Sequence, residues 1–200
     1  MTSSPPVGAQ RPGGRSLRVR TAILAATLDV LVETGYDGMT VEAVAARAGV
    51  HKTTVYRRWP TKAALVAAAA ADRSEQLVPV PDTGSLVGDL TALAQSIVDN
   101  VSSELGGGLA RTIIAAAAAS DEVAQVNREF WALRLALTET IVERAVARGE
   151  VRADVDRHLV IETLIGPIYV RLLLTGAPFD APFVTDIATL VARRVGAPTA

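Results

Sequence analysis

The chain has 200 residues, 20 Lys plus Arg against 21 Asp plus Glu, two His, no Cys, and half of its residues apolar. This length suits one domain with a small partner or two modest ones, and the lack of Cys excludes a disulfide scaffold, a thiolate metal site and a cysteine nucleophile. The longest unbroken apolar run is Ala63 to Ala71, far short of the ~18 residues of a membrane span, so a soluble, cytoplasmic protein is expected.

The first sixteen residues, MTSSPPVGAQRPGGRS, have no apolar core of a secretory signal and read as a flexible tail over 1–16. From residue 17 onward apolar residues recur at helical spacing, and no convincing strand is found. A first helix carries Ile23, Ala26, Val30 and Leu31 on one stripe and stops at Gly35. Thr40 caps a short second helix with Val41, Val44, Ala45 and Ala48 on one face, and Gly49 ends it. A third short helix runs from Lys52 to about Trp59 with Val55 inward, and Pro60 stops it. Thr61 caps a fourth, Ala-rich helix from Lys62 to about Leu77.

The run VPVPDTGS at 78–85 reads as a hinge, which divides the chain into a head over 17–78 and a second domain over 79–200. Further helices are expected at about 85–103, 109–118 and 121–148, broken by Gly106-Gly107-Gly108, Ser120-Asp121 and Gly149. Asp156 caps a strongly apolar helix to Gly176 that Gly166-Pro167 should kink, and a last helix runs from about Phe183 to Val195. The fold class is therefore all-α.

Charge is unevenly placed along this order. Residues 1–64 hold nine basic and four acidic side chains, a surplus of five, while the remainder holds eleven against seventeen, a deficit of six. One half suits a polyanion and the other does not. Two short helices joined by a tight glycine turn, flanked by longer helices, spell a helix-turn-helix, whose second helix fits the major groove. The side chains expected to face DNA are Lys52, Thr53, Thr54, Tyr56, Arg57 and Arg58, with Val55 and Trp59 turned inward. Lys and Arg can donate to guanine O6 and N7, threonine hydroxyls to base or phosphate, and the Tyr56 hydroxyl to a phosphate oxygen. Thr40 and Lys62, at the starts of the second and fourth helices, are placed to meet phosphate. Arg15, Arg18 and Arg20 would serve an N-terminal arm.

The stretch TVEAVAARAGVHKTTVYRRWPTKAAL, Thr40 to Leu65, resembles the N-terminal domain of the tetracycline-repressor (TetR) family. The match lies in Ala48-Gly49-Val50, Thr54-Val55-Tyr56, Trp59 and Thr61-Lys62, and the YRRWP form is similar to an actinobacterial branch. The resemblance covers roughly residues 17–65. It implies a homodimeric transcription factor, most often a repressor released from a palindromic operator by a small ligand in the C-terminal domain. The family's DNA contacts fall on Thr40, Lys52, Thr53, Thr54, Tyr56, Arg58 and Lys62. His51 stands where Ser is frequent, which weakens capping of the recognition helix, and Arg58 stands where an aromatic is frequent.

For the second domain, the helices over 156–176 and 183–195 are expected to form the dimer interface, since the first is apolar almost all round. A small-molecule effector is expected between the helices of 85–148 and that apolar helix. Its candidate lining is Ile97, Val101, Ile113, Ile114, Asn127, Phe130, Trp131, Arg134 and Tyr169, with Asn127 and Arg134 as polar handles at i and i+7. No enzyme activity, cofactor or metal is expected, because His51 and His158 lack partners at metal or triad spacing and Gly106–Gly108 has no preceding strand or following Lys. The alternative is a nonspecific or architectural DNA binder, which would need basic charge spread over the whole chain.

Overall fold

The computed structural model describes residues 12–196 and, among them, is built from helices, with one isolated bridge between Val151 and Gly196. The head comprises α1 (Pro12–Gly38), α2 (Val41–Arg47), α3 (Lys52–Tyr56) and α4 (Lys62–Leu77). The rest comprises α5 (Leu86–Ser102), α6 (Glu104–Ala119), α7 (Asp121–Ala147), α8 (Arg157–Val170), a wider π turn over Arg171–Thr175, and α9 (Ala181–Val195).

Residues 1–11 of the expected tail lie outside the described residues, and 12–16 already belong to α1. Arg15, Arg18 and Arg20 therefore stand on a helix and not on an arm, and Arg20 pairs with Asp72 of α4. At Gly35 the backbone turns out of the helix, with φ 70° and ψ 174°, as the sequence leads one to expect.

In the head, Ile23, Leu24 and Leu31 of α1, Val44 of α2, Val55 of α3 and Leu65 of α4 are all buried in one cluster. Each such side chain contributes about 1.5–3 kcal/mol by leaving water. This cluster fixes the short α2 and α3, which are too brief to be stable alone. Thr40 and Thr61 cap α2 and α4 through their hydroxyls, which accept from the N–H groups of Ala43 and Ala64. Gly49, at φ 65°, lets Val50 donate to the Ala45 carbonyl and close α2 with a left-handed turn.

The second core gathers α5, α7, α8 and α9 around Leu90, Leu93, Ile141, Ile161, Leu164 and Ile168. Helix α6 packs against both α1 and α7, and its Leu109 joins the head's core. The three glycines expected to break the chain lie inside the first turns of α6, which starts from the Ser103 cap. A Cβ on Gly106 would lie 2.0 Å from the Asn100 carbonyl oxygen and one on Gly107 2.6 Å from that of Val101, so these two glycines serve the close approach of α6 to the end of α5. Helix α8 runs through Pro167 to Val170, and the irregular turn follows it.

One further expectation is corrected. The run at 78–85 is not a free hinge: Arg134 donates to the Val78 carbonyl and Arg144 to that of Pro81, both from α7. Buried Asp89 of α5 accepts from the Thr83 N–H and hydroxyl, so the corner is fastened on both sides. In α9 the side bearing Phe183, Ile187 and Val191 packs into this chain's own core, and Leu190, 70% exposed, points away. Arg157–Thr175 is 19 residues and holds an 18-residue window with a mean hydropathy of 1.4, enough in length and composition for a membrane span although no unbroken run shows it. Ile161, Leu164, Ile168 and Leu172 make it a core helix, and its other side leaves Leu159, Val170 and Leu174 exposed.

Candidate nucleic-acid interface and effector cavity

Helix α3 begins after His51, which makes no side-chain cap, and its regular part ends at Tyr56, three residues before the expected Trp59. The chain tightens there, with Arg58 and Trp59 both donating to the Val55 carbonyl. Val55 and Trp59 are buried and act as the pegs that set the roll of the helix. Lys52, Thr53, Tyr56, Arg57 and Arg58 are consequently exposed on one side, with Thr54 half-buried and exposed Thr40 at the start of α2.

Several of these groups already have partners. The Lys52 ammonium lies 3.3 Å from the Glu42 carboxylate on α2. Glu42 is held below the usual carboxylate range, first by a hydrogen bond from its own backbone N–H and then by Lys52. Arg58 donates to the Ser16 hydroxyl of α1. Arg47 grips Glu33 of α1 with both nitrogens, at 2.7 and 2.6 Å, which locks α2 to α1 and keeps the Glu33 carboxyl low. Lys62 departs most from a free phosphate ligand. Its ammonium donates to the carbonyls of Tyr36 (2.8 Å) and Met39 (3.3 Å) and sits 4.3 Å from the Tyr36 ring centre. Glu42 was not singled out from the sequence, although an acid at the start of the positioning helix is the one group able to neutralise the first cation of the next.

Where α4 of the head meets the second domain, a cavity of about 110 Å³ lies between α4, α5, α6, α7 and α8. Asn127, Phe130, Trp131 and Arg134 line it from α7 at i, i+3, i+4 and i+7, and Tyr169 closes it from α8. Ile97, Ile113 and Ile114 also line it, whereas Val101 faces a separate crevice towards α1 and α6. Trp131 stands edge-on to both Phe130 and Tyr169, with ring centres 5.5 and 5.4 Å away. Burial pushes the Tyr169 phenol up to about 12 and holds Arg134 below the ordinary arginine range. Sequence reasoning missed Arg73 and Asn100, which also line the cavity, with Arg73 donating to Asn100 Oδ1 at 3.1 Å. Small residues Ala67, Ala70 and Ser74 at three- and four-residue spacing mark the face of α4 that approaches it.

His158 bridges Glu139 (2.9 Å) and Glu162 (3.4 Å), and the hydrogen bond it donates to Glu139 leads the effects that raise it above the usual imidazole range. Among the described residues no cluster of acids and imidazoles has the shape of a metal site.

Known proteins share both halves of this arrangement. The family described as bacterial regulatory proteins, tetR family, matches residues 23–69, and tetracyclin repressor-like, C-terminal domain, matches residues 80–191. The HTH-type transcriptional regulator AqdR of Rhodococcus erythropolis is 38% identical over 182 residues, which span 90% of this chain and 87% of the relative. The DNA-binding transcriptional repressor TetR of Mycobacteroides abscessus is 37% identical over 182 residues, spanning 88% and 94%. The crystal structure of the TetR family transcription regulator SCO0332 superposes with a TM-score of 0.75 at 33% identity, covering 89% of this chain and 98% of that one. With both domains matched and an exposed second helix seated on buried pegs, the chain belongs to the TetR family of DNA-binding, helix-turn-helix transcriptional regulators.

Proposed function

We propose that the protein is a cytoplasmic homodimeric repressor that leaves a palindromic operator when a small molecule enters the cavity of the second domain. The observation that carries this reading is the exposed row Lys52, Thr53, Tyr56, Arg57 and Arg58, held by buried Val55 and Trp59. Lys52 and Arg58 read base edges, while Thr40, Thr54, Tyr56 and Arg57 hold the phosphate backbone and set the register. A two-fold dimer sets two such rows about 34 Å apart, one turn of duplex, which requires a palindrome. The cavity supports the effector half of the reading because α4, which carries the head, forms one of its walls through Ala67, Ala70 and Ser74. A ligand that repacks this wall shifts the spacing of the two heads.

Selection of bound sequences from random duplex DNA tests the proposal and supplies the operator for titration. A palindrome is expected to be enriched, whereas uniform recovery would point to an architectural binder. Thr54→Ala and Tyr56→Ala should each weaken operator binding about tenfold and lower the salt slope by about one unit per lost phosphate contact. Lys52→Ala should in addition relax preference at one base pair of each half-site. Unchanged affinity in all three variants would overturn the assigned face.

A further inference from the structure

The chemistry of the cavity wall points to the class of molecule it takes, an inference that rests on the effector reading above. Among the described residues no Asp or Glu lines the cavity, whereas two guanidinium groups do. These two differ in what they hold. Arg73 is engaged by Asn100 Oδ1 at 3.1 Å and by the Ser103 hydroxyl at 3.2 Å. Arg134 has one acceptor among the described residues, the main-chain carbonyl of Val78, for a group with five N–H donors. Glu75, whose field reaches Arg134, is exposed on α4 and does not line the cavity. A half-buried cation without a carboxylate partner is costly to desolvate, and an anion that enters the cavity removes that cost.

The neighbours suit the same charge. Tyr169, beside Arg134, has no hydrogen-bond acceptor among the described residues and remains an O–H donor at neutral pH. The Asn127 amide faces the same space without a protein partner among those residues. Between them on the same face of α7 stand Phe130 and Trp131, edge to face, and Ile97, Ile113 and Ile114 add carbon to the wall. A volume of about 150 Å³ is enough for benzene, so a cavity near 110 Å³ takes one ring or a short chain with slight expansion.

We propose that the effector is a small organic anion, a carboxylate on an aromatic or aliphatic body, and that Arg134 exchanges the Val78 carbonyl for it. A planar guanidinium binds a carboxylate through two parallel hydrogen bonds and a carbonyl through one, which favours the exchange. Val78 is the residue that closes α4, so the exchange releases the end of the helix that carries the head. Ligand and linker compete for one side chain, and this competition is the switch.

The test uses the full chain and two acid and amide pairs, benzoate with benzamide and hexanoate with hexanamide, at neutral pH. Calorimetry gives affinity, and fluorescence anisotropy gives release of the selected operator. Each acid is expected to bind about tenfold or more tightly than its amide. Arg134→Gln should bring the two within about twofold, by weakening the acid more than the amide, and Tyr169→Phe, which keeps the ring, should lower the preference by a smaller factor. Circular dichroism melting establishes that each variant is folded. Equal affinity for acid and amide, a preference that survives Arg134→Gln, or no binding of either acid at 10 mM would overturn the proposal. Operator release by the amides alone would retain the effector reading and sink the anion. Failure to select any DNA would sink the repressor reading and leave the acid preference standing.

Discussion

Lys62 illustrates how a position read for one task can hold another. The expectation from the sequence was a free cation at a helix start, because distance along the chain hides the Tyr36 and Met39 carbonyls that it joins. Those bonds tie the end of α1 to the start of α4, and Tyr36 adds a cation–π contact. Lys62→Met keeps the stem and removes the donors, so it should destabilise the protein by about 1–2 kcal/mol in denaturant titration. The salt slope of operator binding should stay unchanged, in contrast to Thr54→Ala. A slope lower by one unit would return Lys62 to the phosphate contacts. The pegs, by comparison, were plain in the sequence: Val55 and Trp59 are the apolar residues of a polar, basic stretch, and burial was their only use.

At the scale of elements, the head was legible because each boundary has a local cause. Thr40 and Thr61 cap, Gly35 and Gly49 stop, Pro60 forbids continuation, and no distant contact overrides them. Helix α6 was misread for the opposite reason. Three consecutive glycines look like a break when only propensity is weighed, yet the neighbouring turn of α5 leaves no room for a side chain at Gly106. Gly106→Ala removes an entropic cost within the helix but drives a methyl into the Asn100 carbonyl, and the clash dominates. It should destabilise the protein by about 1–3 kcal/mol and lower the melting temperature by several degrees. A variant at least as stable as the parent would mean that the corner opens freely. The linker at 78–85 was misread through the same blindness to distance, since its anchors Arg134 and Arg144 lie 56 and 63 residues from the carbonyls they hold. The lining of the cavity was easier: the four α7 residues named for it share one helical face, whereas Val101, a turn beyond Ile97 on α5, lines the separate crevice instead.

For the whole molecule, the outer side of α8 is an apolar surface that the described residues leave uncovered. Leu159, Thr163, Gly166, Val170 and Leu174 follow one another at three- and four-residue spacing, all exposed, while Leu172 between them is buried in the chain's own core. A charge at Leu172 would therefore unfold the domain and say nothing of assembly. Gly166 offers a cleaner probe, because a Cβ there meets nothing within 4 Å. If two copies of α8 cross at this glycine, Gly166→Arg should leave the melting temperature of the single chain intact. It should give monomers in sedimentation at micromolar concentration and abolish cooperative operator binding. Dimers of that variant would place the contact on another face.

The pairing of Lys52 with Glu42 bears on how a regulator finds its address among millions of wrong ones. Because that exposed ammonium already holds one carboxylate, contact with nucleic acid would be a partial trade, in which the difference between the two acceptors counts. An ordinary stretch of duplex returns little, so the protein moves on. If Lys52 reads a purine edge as proposed, that edge returns more, and the acid would sharpen discrimination at the expense of raw grip.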